Sequence, residues 1–237
     1  MADYSITIFN ESNDDAIYYL FQEPPKADKA DDQNIFTNIY GASPSIQSGD
    51  GSNVVFAIHK EWFAICGTPP APLAQGVKVS SSARESVLLG QSDAQPPQLG
   101  TVEFIHANDN SPRFVDAKVS VTSALGGFGI TTDDSFSYPN ERHFFVGVGG
   151  RDPTNGTKVV PTVVVEAHPN TAYTFYPKSI YWICSGTFEA GEIVDIKTIT
   201  QKVEVDFSKE FPDVAYTHNS FGDFVKQASR KSRMHRL

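Results

Sequence analysis

Cysteine is nearly missing from this sequence: 237 residues hold two, Cys66 and Cys184. Two thiols cannot build a disulfide framework, and both lie inside strand-like runs, so they read as reduced packing residues. The sequons Asn10-Glu-Ser and Asn155-Gly-Thr then read as turns. Cations are also scarce, with 19 Lys plus Arg against 28 Asp plus Glu and a net charge of −9. Nucleic-acid recognition needs clustered cations, so no nucleic-acid partner is expected. No apolar run is long enough to span a bilayer, and Met1–Asn10 lacks a charged segment followed by an apolar one. A cytoplasmic protein without a transmembrane segment is the expectation. Also missing are His-Glu-x-x-His, Cys-x-x-Cys, Gly-x-Ser-x-Gly and phosphate-loop patterns. Gly126-Gly-Phe-Gly and Gly147-Val-Gly-Gly lack the strand–helix setting of a dinucleotide site. No cofactor and no metal is expected.

What is abundant is strand chemistry. Seventeen Phe and nine Tyr accompany 17 Gly and 15 Pro. The glycines and prolines punctuate short alternating runs at regular spacing, a pattern of sandwiches and barrels. Tyr4–Phe9 alternates, with Tyr4, Ile6 and Ile8 on one face. Further strands are predicted near 16–22, 35–40, 77–80, 86–89, 101–106, 114–122, 128–131, 143–148, 157–167, 173–176, 180–187 and 193–207. Only the C-terminus has a helical stripe, Phe221, Phe224, Val225 and Ala228, with a start signal at Ser220 and Asp223. The predicted fold is an all-β two-sheet β-sandwich, or a flattened barrel. It comprises residues 1–219, with pseudo-equivalent halves of about 1–125 and 126–215. A short helix and basic tail follow over 220–237.

The two halves are suggested by an echo. Asn53–Val79 and Ala172–Ile196 each contain an aromatic run, then Ile-Cys, Gly-Thr, and an Ala and Gly before a second apolar run. Together they hold both tryptophans and both cysteines of the chain. They are predicted to form equivalent hairpins in two facing sheets. Even spacing puts Phe56, Ile58, Trp62, Ala64 and Cys66 on one face of the first, with Val55, Ala57, Phe63 and Ile65 on the other. A strand apolar on both faces is covered on both sides or broken by a bulge. In the echo, Trp182 and Cys184 share one face and Tyr181 and Ile183 the other.

The opening strand ending at Asn10, the run YLFQEPP at Tyr19–Pro25, and the Trp strand leading to Gly67, Leu73 and Gly76 resemble RhiA and its relatives. The resemblance covers about the first third of the chain. It implies an all-β fold and brings no catalytic residues with it.

Candidate chemistry is sparse. Glu166 and His168 lie two apart in a strand, so they share a face, and a carboxylate beside an imidazole makes a general base. A solvated strand end is the competing explanation. Trp62, Phe128, Tyr173, Phe175, Tyr181 and Trp182 are the candidate ligand-binding residues, lining a cavity between the sheets, or else an ordinary aromatic core. Asn108, Asp109 and Asn110 open an N-D-N-x-P-x-F run that is similar to the calcium-binding linker of cadherin repeats; a polar turn between strands explains it more cheaply. His235, Arg236 and Leu237 keep the basic-then-Leu ending of a peroxisomal address, or belong to a solvated tail.

The expected function is that of a cofactor-independent enzyme. It would be a cyclase, isomerase or lyase shaping an apolar small molecule in the aromatic cavity, as in specialised metabolism. The alternative is a non-catalytic recognition module, lectin-like or lipid-binding.

Overall fold

A computed structural model describes residues 3–28, 35–92, 95–108 and 111–228, with backbone alone at 28, 108 and 116–119. The chain is all-β, and the strands of the described residues form four sheets paired as two sandwiches. Among the described residues no closed barrel occurs.

In the first sandwich, sheet I has the order β19 (Phe224–Lys226), β18 (Asp213–His218), β1 (Tyr4–Asn10), β6 (Asn53–Ile58). Sheet II, ordered β17 (Lys202–Asp206), β15 (Ile180–Ser185), β2 (Tyr18–Gln22), β5 (Gly41–Ala42), shares its core. Alternation in β1 buries Ile6 and Ile8 on Leu20, Phe56, Ile183 and Tyr216, while Ser5, Thr7 and Phe9 face outward. β18 runs parallel to β1, pairing Val214 with Ile6 and Tyr216 with Ile8.

In the second sandwich, sheet III has the order β10 (Ser111–Thr122), β9 (Gly100–Asn108), β11 (Phe128–Thr132), β14 (Ala172–Tyr176), β3 (Lys26–Asp28). Sheet IV has the order β16 (Ile193–Val194), β4 (Ile35–Asn38), β13 (Val159–Glu166), β12 (Phe145–Arg151), β7 (Trp62–Gly67), β8 (Ala83–Val87). Between them lie Trp62, Ile105, Phe128, Ile130, Phe144, Val146, Tyr173 and Phe175. Fully burying one such aromatic ring contributes on the order of 1.5–3 kcal/mol, an upper figure given a compact unfolded state.

The predicted continuous ribbon at Asn53–Cys66 is two strands. β6 ends at Ile58, His59-Lys60-Glu61 turns the chain, and β7 begins at Trp62 in the other sandwich. Lys60 sits in this break with its ammonium 4.5 Å from the Tyr4 ring centre. β14 and β15 cross between sandwiches in the same way. Both faces of β7 are covered, Trp62, Ala64 and Cys66 in the inner core and Phe63 and Ile65 under Val79 and Ile193.

The two tryptophan strands therefore do not stack on each other. Trp62 points into its sandwich, while Trp182 lies on the outer face of β15 with Cys184, so Tyr181 and Ile183 take the inner position. The echo preserves spacing but inverts which face is buried within the sandwich, which puts the two indoles in separate cores. The stretches following each strand do meet. Val79 N–H donates to the Gly191 carbonyl at 2.9 Å and Ile193 N–H to the Val77 carbonyl at 2.9 Å, around a Lys78–Glu192 bridge.

The predicted C-terminal helix is also corrected. Residues 219–223 form a turn in which the Asn219 side chain accepts from Phe221 N–H (2.9 Å) and Asp223 N–H (3.0 Å). Gly222 takes φ +84° in that turn, and Phe224–Lys226 return as β19 against β18. Left-handed backbone at Gly222 and an Asx turn favour a hairpin over helix propagation. His235, Arg236 and Leu237 lie outside the described residues, as do Asp109 and Asn110. Among the described residues no helix is long and apolar enough to cross a membrane.

Candidate functional site

The structure separates the six candidate ligand-binding aromatics. Phe128, Tyr173 and Phe175 join Trp62 in the second sandwich, with ring centres 5.6 Å apart for Phe128–Phe175 and 6.2 Å for Tyr173–Phe175. Tyr181 is buried in the first sandwich near Tyr40, ring centres 6.3 Å apart. Trp182 lines an opening.

That opening is a cleft of about 980 Å³ where the sandwiches meet. β4 and β16 supply Ile35, Phe36, Ile193 and Val194 as an apolar wall. The opposite wall is Trp182 of β15, Lys202 of β17 and the segment Glu23-Pro24-Pro25 that leaves β2. Proline at 24 and 25 has no N–H for a ladder, so pairing along sheet II stops there and the chain turns toward β3. Trp182 Nε1–H donates to Glu23 Oε2 at 2.7 Å, which fixes the indole plane. Lys202 Nζ lies 5.6 Å from the indole centre and donates to the Ile199 carbonyl at 2.6 Å. Lys178 Nζ stands 3.9 Å from Glu23 Oε1. A 3-10 turn, Ile196–Thr198, closes one end, capped by Asp195 Oδ1 accepting from Lys197 N–H at 2.9 Å. Size, an apolar wall and a few fixed polar groups are what a small-molecule site requires.

A profile of the RhiA family matches residues 1–228. The chain belongs to the RhiA family. Nothing matches it among curated proteins or solved structures. The resemblance seen in the first third extends over nearly the whole RhiA-family chain, and β1 and β2 have β18 and β15 as sheet partners. The first third thus pairs with strands from late in the chain. Within the YLFQEPP run, Glu23, Pro24 and Pro25 form part of the cleft wall.

The candidate base pair is arranged differently from its simple alternation. His168 is exposed and its ring stacks on Tyr138, centres 3.9 Å apart and 22° between planes. Glu166 instead approaches His143, with Nδ1 3.8 Å from Oε1, and accepts from the Tyr138 hydroxyl at 3.4 Å. His143 holds φ +53°, unusual for a residue with a side chain, and borders a second pocket of about 470 Å³ against Thr68–Pro72. The β12–β13 register explains the pairing: Phe145 opposite Glu166 brings the residues preceding β12 beside those following β13. Beyond this cluster, His106 Nδ1 lies 2.6 Å from Asp133 Oδ2. Burial alone raises the Asp133 carboxyl, but hydrogen bonds from Ser135 and His106 outweigh it and hold the group below its ordinary value. Ser135 donates to Asp133 and not to the imidazole, so the three do not form a nucleophilic triad. Burial pushes the Cys66 and Cys184 thiols up to about 12, which removes both as thiolate nucleophiles. Among the described residues no three His, Cys, Asp or Glu side chains gather as a metal site.

Sequence reasoning missed Glu23, Lys178, Lys197 and Lys202, which come from separate segments. A local signal did exist in the lysines spaced through 178–209 of an acidic chain. His143 carries no such signal, because only the β12–β13 register brings it to Glu166.

Proposed function

We propose that this RhiA-family protein is a non-catalytic recognition module whose cleft between the two sandwiches holds a small molecule with an apolar body. The observation that carries this reading is the locked indole. Trp182 is half-buried, its N–H is held by Glu23, and it faces an apolar wall from a different sheet. A fixed aromatic surface loses little conformational freedom on binding, so contact area converts efficiently into affinity. The candidate inter-sheet aromatics support this module by forming its cores, with Phe128 and Phe175 completely buried.

The test uses the two-tryptophan composition. In a Trp62→Phe background, Trp182 is the single indole, and a compound found by thermal-shift screening quenches its emission saturably. Trp182→Ala weakens that compound at least tenfold, and mass spectrometry finds it unchanged after incubation. Stabilising compounds that ignore Trp182 would refute the reading.

A second reading keeps the cofactor-independent isomerase, cyclase or lyase. It is favoured by the grouping of Tyr138, His143, Glu166 and His168 beside a pocket, with left-handed backbone at His143. Turnover of a bound compound that is abolished by Glu166→Gln, with binding retained, is the outcome that selects it. A compound that binds and is never converted removes it.

A further inference from the structure

The cleft has the wrong sign for this protein. The chain carries net charge −9, with only 19 basic residues, yet four of them, Lys26, Lys178, Lys197 and Lys202, line this one opening. Two carboxylates stand beside them, and both are committed to the walls. Glu23 accepts the indole N–H and lies 3.9 Å from Lys178, and Asp195 caps the 3-10 turn that presents Lys197. Four ammonium groups against these two carboxylates leave the lining with a net positive charge, which a neutral or cationic guest would not balance. An anion balances that charge, and low-dielectric apolar walls strengthen the attraction.

We infer that the ligand of this cleft is an organic anion: a planar or otherwise apolar body against Trp182, Phe36 and Ile193, with a carboxylate, sulfonate or phosphate group meeting Lys178 and Lys197. This rests on the proposed cleft and adds the charge of its guest. The division of labour follows from position. Lys202 is tied to the Ile199 carbonyl and sits over the indole, so it stabilises the aromatic wall. Lys178 has a side chain 43% exposed, and its partner Glu23 lies 3.9 Å away, longer than a direct hydrogen bond, so it turns toward an incoming anion with little loss. Lys197 is exposed at the end of the cleft.

The experiment compares two probes with nearly the same aromatic body in the Trp62→Phe protein. They are 8-anilinonaphthalene-1-sulfonate, which is anionic, and N-phenyl-1-naphthylamine, which is neutral. Trp182 quenching reports occupancy of the cleft. The sulfonate binds at least tenfold tighter, that preference shrinks several-fold between low and high salt, and Lys178→Gln with Lys197→Gln reduces it to within twofold. Both substitutions are at exposed positions, and an unchanged melting temperature verifies the fold. Equal quenching by the two probes overturns the anionic assignment and leaves the cleft as an apolar site. Sulfonate fluorescence without Trp182 quenching overturns the assignment, because the anion then binds elsewhere. If neither probe quenches, the cleft reading and the anionic assignment both fail.

Discussion

At the scale of one residue, the neighbours of His218 set its chemistry. It is 6% exposed at the end of β18, its Nδ1 lies 3.1 Å from the Tyr18 hydroxyl, and its ring stacks on Phe224 at 4.7 Å. Burial lowers its pKa below the ordinary 6.5, opposed by Asp223 and a hydrogen bond to the Gly222 carbonyl. A depressed folded-state pKa means the unfolded chain takes up the proton more readily. The stability from neutral His218 is therefore complete above about pH 6.5 and is lost as pH falls through the lower folded value. Urea midpoints measured from pH 8 to pH 5 should decline below that point in the wild type, and His218→Gln should flatten the decline in that window. A wild-type midpoint independent of pH there contradicts the burial of a neutral imidazole.

At the level of single strands, β12 is enclosed on both edges. It lies between β13 and β7 in sheet IV, buried from Phe145 to Gly150. Gly147 is required by close approach: a Cβ there would collide with the Val163 carbonyl oxygen of β13. Backbone cannot move aside as a flexible side chain does. Gly147→Ala should destabilise by on the order of 1–3 kcal/mol or more, read as a lower urea midpoint and melting temperature. An unchanged midpoint would show that β12 and β13 can separate freely. The C-terminal hairpin gives the opposite lesson about periodicity. Phe221, Phe224, Val225 and Ala228 fit a helical stripe, yet Gly222 and the Asn219 side chain turn the chain back, and Val225 is left 50% exposed.

Over the whole molecule, the halves interleave. Sheet I places β18 and β19 beside β1 and β6, and sheet II places β15 and β17 beside β2 and β5. Sheets III and IV likewise draw on both sides of the Gly126-Gly127 break. The Tyr40 hydroxyl, in the first core, donates to the Arg151 carbonyl of β12 at 2.6 Å and ties the sandwiches together. Neither fragment can then complete a sheet. Residues 1–125 and 126–237 expressed apart should each lack a cooperative thermal transition, whereas coexpression should recover one. A dispersed NMR spectrum from either fragment alone would show that the sheets do not need both.

Alternation along the chain was sufficient for the all-β class and for most strand positions, because side chains on successive residues must point to opposite faces of a sheet. It placed Trp62 with Cys66 and Trp182 with Cys184 correctly on shared faces. Which face looks inward is not a local property. It depends on where His59-Lys60-Glu61 breaks the ribbon and on which sheet each half-strand joins, and these are long-range pairings. Tertiary structure alone separated the two indoles, paired Glu166 with His143, and gathered lysines from separate segments around Trp182. A cleft between sheets belongs to no single segment, so its charge appears only once the strands have found their partners.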